Sequence, residues 1–215
     1  KVDYFKEQNL PVGKGTKNAI SRHMDALMKK IMRDLNEFSL KTNLKQKSLC
    51  QLYNLIICVE EDIKPHCAEI LKNVIYKNIL DEEPDIATRT YKIAELLGLY
   101  VQTEYLLPMM IGHLTDQESK STPHFVSSGL TAFSAVIHHS TKRYPEQLEL
   151  IVSSDFLNNE NPEVLERVLL VSKIWSMQQV LCVRNTSTAF QNLAPTWLHP
   201  PDASTYEEVD ESIAK

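Results

Sequence analysis

Pairs of an acidic and a basic residue recur at helical spacing in this sequence, and they are the side chains best placed to act together. Asp85 precedes Arg89 by four residues, and Glu163 precedes Arg167 by the same interval. Side chains four apart on a helix face each other, and an acid in the first turn also meets the positive end of the helix dipole. The spacing therefore predicts ion pairs that orient helices, with no proton-transfer chemistry.

The sequence contains no spacing typical of a catalytic or metal-binding motif. Its seven histidines form neither HxxxH nor HExxH, and the adjacent His138 and His139 point about 100° apart on a helix. The motifs GxSxG, GxxxxGK and GxGxxG are absent, and the fragment VGKGT at residues 12–16 lacks the order of a phosphate loop. We predict a protein that is not an enzyme and has no cofactor and no metal.

The helices that carry these pairs belong to an internal repeat. Anchored on Ile86, an apolar residue recurs at steps of 42, 39 and 39 residues, at Leu44, Phe125 and Val164. Two further apolar positions keep the same register: Leu49, Tyr91, Leu130 and Leu169 form one set, and Leu55, Leu97, Val136 and Trp175 form the other.

The charged residues follow the same register as the apolar ones. Lys47 and Arg167 occupy the position of Arg89, whereas the third copy has Ser128 there. Each of the three bases lies four residues after a polar turn residue. In stacked repeats such side chains can bridge neighbouring turns, so we predict a structural ladder built from Asp85, Arg89, Glu163, Arg167 and Lys47.

A period of about 40 residues built from two helices is the signature of HEAT or armadillo repeats. An acidic turn at residues 81–85 separates the two helices of one unit, and the second helix carries Ile86, Ile93 and Leu97 on one side. We therefore predict an all-α solenoid of about four HEAT-type hairpins. Its bounds are a linker or loop at 1–16, the array at 17–194, and an acidic, mobile tail at 195–215.

The net charge of -5 is distributed unevenly along the chain. Residues 1–48 hold eleven Lys and Arg against five acids, whereas the last fifteen residues hold five acids and one Lys. This pattern is typical of solvated helix faces with a soluble tail. Alternatively, it indicates a basic patch on the first helices that meets an acidic partner.

Cysteine usage and hydropathy bear on the compartment. The four cysteines form no CxxC pair, and three lie in apolar helical runs, which favours buried free thiols in reducing cytosol. No apolar stretch approaches the roughly 18 residues of a membrane span. We expect a cytoplasmic protein with protein partners and neither nucleic acid nor membrane among its ligands.

Trp175 is expected in the core, and Trp197 either staples a terminal helix or faces a partner.

Several segments resemble one known family. DEEPDIATRTYKIAELLGLYVQTEYLLPMMIGHL is similar to a repeat of the HEAT-repeat dynein axonemal assembly factors, with its acidic turn, its alanine-glutamate-leucine helix ending near glycine, and its step into the next helix. SSGLTAFSAVIHHS and LERVLLVSKIW resemble the following units, and RDLNEFSLKTNLKQKSLCQLYNLII resembles the preceding one. The resemblance covers residues 30–175.

The resemblance implies a cytoplasmic scaffold that helps to preassemble axonemal dynein arms for motile cilia or flagella. The implied partners are dynein heavy or intermediate chains, other assembly factors and chaperones. The family offers no catalytic residues and no cofactor to transfer.

Two other classes of function remain open. The second class is a different HEAT adaptor: a nuclear transport receptor, a phosphatase scaffold or a tubulin-binding array, although the acidic turns DEEP and NNENPE disfavour tubulin. The third is an enzyme whose helical active site carries no recognisable motif. For either adaptor class, we predict that the second helices of the hairpins line a surface that holds an extended or partly folded client.

Overall fold

The computed structural model describes residues 14–37, 41–116, 122–138, 151, 156 and 159–185, and every regular element in these ranges is helical. Packing divides the chain into a unit over residues 1–175 and a second over residues 176–215. The packing described below belongs to the first unit. The expected tail at 195–215, with Trp197, lies outside the described residues, as do residues 1–13 of the expected linker.

The described helices follow one another along the chain. They are α1 (Lys14–Arg22), α2 (Met24–Glu37), α3 (Thr42–Val59), a 3-10 helix (Glu60–His66), α4 (Cys67–Ile70), a π-helix (Leu71–Ile75), α5 (Tyr76–Asn78), α6 (Pro84–Tyr100), α7 (Thr103–Thr115), α8 (Pro123–His138) and α9 (Pro162–Asn185). The 3-10 helix, α4, the π-helix and α5 run without a break from residue 60 to residue 78.

The predicted repeat register is confirmed by where the second helices begin. Helices α3, α6, α8 and α9 start at residues 42, 84, 123 and 162, which reproduces the steps of 42, 39 and 39 read from the apolar pattern. Proline stands at the first position of α6, α8 and α9, where its missing N–H has no intrahelical partner to lose. Of residues 139–158, before α9, only Ile151 and Phe156 are described, and both are helical and buried.

Three of these helices, α3, α6 and α8, stack side by side in chain order, and we call them the row. Helix α6 lies in the middle and packs most extensively against α3 on one side and α8 on the other. The first helices form a second layer, with α2 against α3 and α7 against α8. This arrangement is an all-α solenoid of HEAT-type hairpins, as the sequence predicts.

Glycine sets how closely α6 and α8 approach. Gly98 lies against the backbone of Val136, and a Cβ at Gly98 would lie 2.9 Å from the Val136 Cα and closer still to its carbonyl group. Only a residue without a side chain fits there. Ile93, Ala94 and Leu97, in the turns of α6 before this contact, are buried.

The basic N-terminal region is partly neutralised within the chain. Lys17 Nζ on α1 donates to Glu60 Oε2 at 2.9 Å, and Ser21 Oγ donates to Asp62 Oδ2 at 2.8 Å. Both acids belong to the 3-10 helix, which begins at Glu60 with a φ of 53°. Part of the charge asymmetry in the sequence is therefore an intramolecular contact between α1 and the segment after α3.

Four details differ from the sequence expectations. Helix α1 begins at Lys14, three residues before the expected array. Pro108 in the sequence predicts a kink or a late start for α7, with Thr103 as the cap, but the helix begins at Thr103, continues through Pro108 and has Gln102 at its N-cap. Leu169, which keeps the apolar register, is 66% exposed, and Trp175, expected in the core, is only partly buried. Leu169 lies at the helix position that the repeat register gives, but no described residue packs over its side chain.

We expect Gly98→Ala to destabilise the protein although alanine favours helix. The clash with the Val136 backbone should cost about 1–3 kcal/mol, which exceeds the roughly 1 kcal/mol that alanine gains in helix propensity. Gly112→Ala in α7 is the matched control, because a Cβ there has open space around it. It should stabilise the protein by about 0.5–1 kcal/mol. Urea unfolding of both variants measures the difference; stabilisation by both substitutions would contradict the close approach.

We expect Leu97→Ala to lower the free energy of unfolding by about 2–5 kcal/mol, because Leu97 is fully buried in the core. Leu99→Ala, two residues away on the same helix, should change it by less than about 0.5 kcal/mol, since Leu99 is 57% exposed. Thermal melts of the two variants, side by side, test this placement. A loss at Leu97 no larger than the loss at Leu99 would reject it.

Candidate functional site

The outward side of α3 and α6 forms a continuous surface, which we call the row face. It consists of one stripe on each helix at matching register positions, all exposed or half-buried: Lys47, Cys50, Asn54 and Ile57 on α3, and Arg89, Lys92, Leu96 and Leu99 on α6. On α8 the same register gives Ser128, Thr131 and Ala135, which are buried, and His138, which is exposed. The row face therefore spans two helices and ends at His138.

Arg89 joins the two stripes. Its Nη1 donates to Cys50 Sγ at 2.8 Å, so the guanidinium of one hairpin reaches the preceding hairpin. Lys47, its register equivalent on α3, is exposed. Arg89 thus contacts the preceding hairpin through a thiol, and the ladder of bridging bases stays a prediction.

A buried carboxylate links α6 to α8 at the edge of the row face. The Glu95 side chain is 5% exposed; Lys92 Nζ donates to its Oε2 at 2.6 Å, and His138 Nδ1 lies 2.7 Å from its Oε1. A buried carboxylate is costly unless it is paired and hydrogen-bonded, and two partners satisfy it here. Burial raises the pKa of the neighbouring Tyr53. The positive charge of Lys92 lowers this pKa, and the negative charge of Glu95 raises it further.

A second polar bridge ties α3 to the turn before α6. Lys45 Nζ donates to Asp81 Oδ2 at 2.6 Å, and the Glu83 backbone N–H donates to Asp81 Oδ1 at 3.0 Å. Burial alone raises the pKa of Asp81, but these hydrogen bonds and the positive charge of Lys45 outweigh burial and hold the pKa below its usual value. The acidic turn is therefore fastened to the previous hairpin.

The remaining predicted ladder residues lie at the starts of their helices. Asp85 is exposed in the first turn of α6, and Glu163 is half-buried in the first turn of α9, where its backbone N–H donates to Asn161 Oδ1 at 2.9 Å. Arg167 is half-buried, and its buried Nε has no hydrogen-bond partner among the described residues. The pairing of each acid with its base stays a prediction.

Sequence reasoning missed the contacts that fasten the hairpins to each other. The weak signal for Glu95 was Lys92 three residues before it, a spacing that pairs side chains on one helix. Neither His138 nor Asp81 could be assigned a partner from spacing, because their partners lie 43 and 36 residues away in sequence.

The thiols and imidazoles of the described residues show no constellation for catalysis. Burial raises the pKa of Cys67 to about 12 and also raises that of Cys58, which keeps both as neutral thiols. Burial, and then the charge of Lys72, lower the pKa of His113, whose Nδ1 lies 3.2 Å from the Tyr76 hydroxyl. Within the described ranges, no group of three His, Cys, Asp or Glu side chains could hold a metal ion.

Comparison with known proteins identifies the family. The family model for the HEAT-repeat domain of dynein axonemal assembly factor 5 matches residues 4–196. The chain belongs to this family.

Two curated relatives of the assembly-factor family agree with the match. Dynein axonemal assembly factor 5 of Xenopus laevis is 24% identical over 204 residues, and that of Mus musculus is 24% identical over 213 residues. These alignments cover 94% and 96% of this chain. The chain spans about a quarter, 24%, of the length of each relative.

The resemblance drawn from the repeat segments is therefore confirmed, and it extends beyond residues 30–175 in both directions. Such a family is typified by scaffolds that bind proteins through surfaces rather than by enzymes. None of the helices in the described part of the assembly-factor chain combines the length and apolarity needed to cross a bilayer. We take the row face as the candidate functional site of this domain.

We expect the Lys45–Asp81 bridge to make stability depend on pH. Because the pKa of Asp81 is lower in the folded protein than its ordinary value of 3.8, its stabilising contribution is complete above that value and is lost as pH falls through the folded pKa. The excess stability of wild type over Asp81→Asn should therefore shrink on acidification. Urea unfolding from neutral pH downward measures it, with Glu82→Gln in the same exposed turn as control. An excess that grows with acid would contradict the bridge.

Proposed function

We propose that this domain is a non-enzymatic scaffold for the cytoplasmic preassembly of axonemal dynein arms, which motile cilia and flagella require. The observation that carries the proposal is the family match over residues 4–196. The relatives in Xenopus laevis and Mus musculus are named dynein axonemal assembly factor 5, and that name supplies the process.

The stacked row supports a binding role for the scaffold. Helices α3 and α6 present side chains over more than four turns each, so a client chain could contact several hairpins at once. The contacts of Arg89 with Cys50, and of Glu95 with Lys92 and His138, hold the hairpins in one arrangement before a client arrives. A preorganised surface lowers the entropic cost of binding.

The proposed clients are dynein heavy or intermediate chains, with other assembly factors and chaperones as further partners. The ladder residues Asp85, Arg89, Glu163, Arg167 and Lys47 serve the spacing of the hairpins in this proposal, and the exposed part of the row face serves the client. The family match favours this class over a nuclear transport receptor, a phosphatase scaffold, a tubulin-binding array or an enzyme.

We expect the epitope-tagged chain, purified from ciliated cells before arm assembly is complete, to recover dynein heavy or intermediate chains in quantitative mass spectrometry. Leu97→Asp, which places a charge in the buried core, should lose them, whereas Lys30→Ala on an exposed side of α2 should retain them. Recovery of tubulin, a phosphatase or transport cargo in place of dynein would contradict the proposal and support another HEAT adaptor.

A further inference from the structure

The first two helices concentrate positive charge in an acidic chain. Helices α1 and α2 contain six Lys and Arg against three acids, a net charge of +3, whereas the whole chain carries -5. One of the six bases is already engaged, because Lys17 is bound to Glu60. The charge available to a partner is therefore that of the bases farther along the two helices.

Four of the remaining bases form one exposed surface, which we call the cationic face: Arg22, Lys29, Lys30 and Arg33. On α2 these bases stand on the side of the helix opposite the buried side chains that pack toward α3. The exposed Ala26 lies four residues from both Arg22 and Lys30, so a short side chain stands between them. The charged groups can therefore converge on one ligand.

These four bases make few contacts within the chain. In the part of the chain that the structure describes, Arg22, Lys29 and Lys30 have neither a hydrogen bond nor an ion pair. Arg33 Nε lies 3.8 Å from Asp34 Oδ1 and 3.8 Å from Glu37 Oε1, beyond hydrogen-bond distance, and its side chain is 64% exposed. The charge of the cationic face is thus not neutralised by direct contacts.

The acids of the two helices lie at the flank and at the end of the cationic face. Asp25 Oδ1 is 3.2 Å from His66 Nε2, on the 3-10 helix, and Glu37 is the last residue of α2. Asp34 is half-buried, with 18% of its side chain exposed. When the exposed Asp25 and Glu37 are counted against the four bases, the face still has an excess of two positive charges.

Helix α1 already binds an acidic run of its own chain on its other side. Residues 60–62, Glu-Glu-Asp, open the 3-10 helix; Lys17 Nζ donates to Glu60 Oε2, and Ser21 Oγ donates to Asp62 Oδ2. Consecutive acids therefore dock on this helix through side chains one turn apart. The cationic face offers carboxylates a second such surface, turned toward solvent.

We propose that the cationic face binds an acidic, flexible segment of a protein partner, with Glu and Asp carboxylates of the partner at Arg22, Lys29, Lys30 and Arg33. The four bases extend over about 16 Å of helix, at about 1.5 Å per residue, so a segment with several carboxylates is needed to reach them all. Charge complementarity orients such a partner and speeds its association.

Other polyanions fit this face less well. No aromatic ring stands among the four bases, whereas faces that bind single-stranded nucleic acid stack bases on aromatic side chains. A helix that lies on a lipid surface inserts its apolar side, and the apolar side of α2 is buried in the core. The cationic face therefore suits carboxylates of a protein segment best.

This inference adds a partner to the proposed scaffold. The cationic face belongs to the layer of first helices, whereas the row face lies on α3 and α6. The acidic partner is a second protein beside the client of the row face, and that client does not depend on the four bases.

The test uses the full chain and two fluorescein-labelled peptides. One repeats Glu-Glu-Asp-Ser, and the other repeats Gln-Gln-Asn-Ser, which has the same shape without charge. Fluorescence anisotropy should show binding of the acidic peptide that weakens as salt is raised, and no binding of the neutral one. In backbone NMR spectra the acidic peptide should shift amides of α1 and α2. A single-stranded RNA of equal charge and vesicles containing phosphatidylserine are the competing probes.

Matched variants locate the binding. Lys29→Gln with Lys30→Gln should weaken the acidic peptide about threefold to tenfold, and substitution of all four bases by Gln more than tenfold. Lys72→Gln with Lys77→Gln removes two exposed charges from residues 60–78 and should leave the affinity within about a factor of two. Gln suits helices, and circular dichroism with thermal melts establishes that each variant is folded.

The inference is overturned if the acidic peptide does not bind, if the neutral peptide binds as tightly, or if its amide shifts fall outside α1 and α2. Tighter binding of the RNA or the vesicles at this face also overturns it. So do amide shifts that depend on protein concentration without peptide, because they assign the face to a second copy of the chain.

Recovery of dynein from cells separates this inference from the scaffold function. The variant with all four bases replaced should still recover dynein, and loss of dynein by that folded variant would contradict the assignment to a second partner. Dynein recovery by the wild-type chain with no peptide binding rejects this inference alone. Peptide binding at the cationic face with no dynein recovery rejects the dynein scaffold and leaves the cationic face as a binding surface.

Discussion

The close approach of α6 to α8 at Gly98 is the constraint on which the rest of the structure depends. Helix axes at ordinary separation would leave space between the two hairpins, and the buried side chains around Leu97 would lose their partners. Because Gly98 has no side chain, the α6 backbone meets that of Val136 directly. That contact fixes the middle helix of the row, and with it the positions of Arg89, Lys92 and Glu95 on its outward side.

Apolar packing alone does not specify how one hairpin is placed on the next, since a helix can slide along an apolar partner at small cost. Polar contacts with defined geometry remove this freedom. Lys45 with Asp81 fixes α3 relative to the turn before α6, and Glu95 with His138 fixes α6 relative to α8. Each contact joins elements about one repeat apart. Each therefore fixes the angle between neighbouring hairpins, which apolar packing alone leaves undetermined.

The sequence alone was sufficient to predict the class of fold and the repeat register, because the same apolar pattern occurs several times along the chain. Each copy of the pattern supports the interpretation of the others. Ile86, Leu130 and Val164 are buried as that pattern requires, whereas Phe125 is half-buried and Leu44 is 37% exposed. Leu169 keeps the apolar register but is 66% exposed, because burial depends on a neighbour in space as well as on the phase of a helix. Family membership followed from segment resemblance, which periodicity by itself would not have given.

The candidate site was only half predictable. Helical spacing placed Arg89 and Lys47 on one side of the second helices, and the structure has both on the row face. The acid that matters most for joining two row helices, Glu95, was not singled out, because its partner His138 lies 43 residues away. A contact between two single side chains far apart in the sequence produces no periodic pattern. Stacked apolar helix faces do produce one, so they can be predicted from a single sequence.

The central claim, that α6 and α8 lie side by side with their backbones in contact at Gly98, can be tested by a single NMR measurement. In a sample with selectively labelled glycine and valine, we predict a strong nuclear Overhauser effect between the Gly98 Hα protons and the backbone protons of Val136. Its absence, in spectra that show the sequential contacts of both helices, would mean that these hairpins do not stack in chain order and would contradict the account.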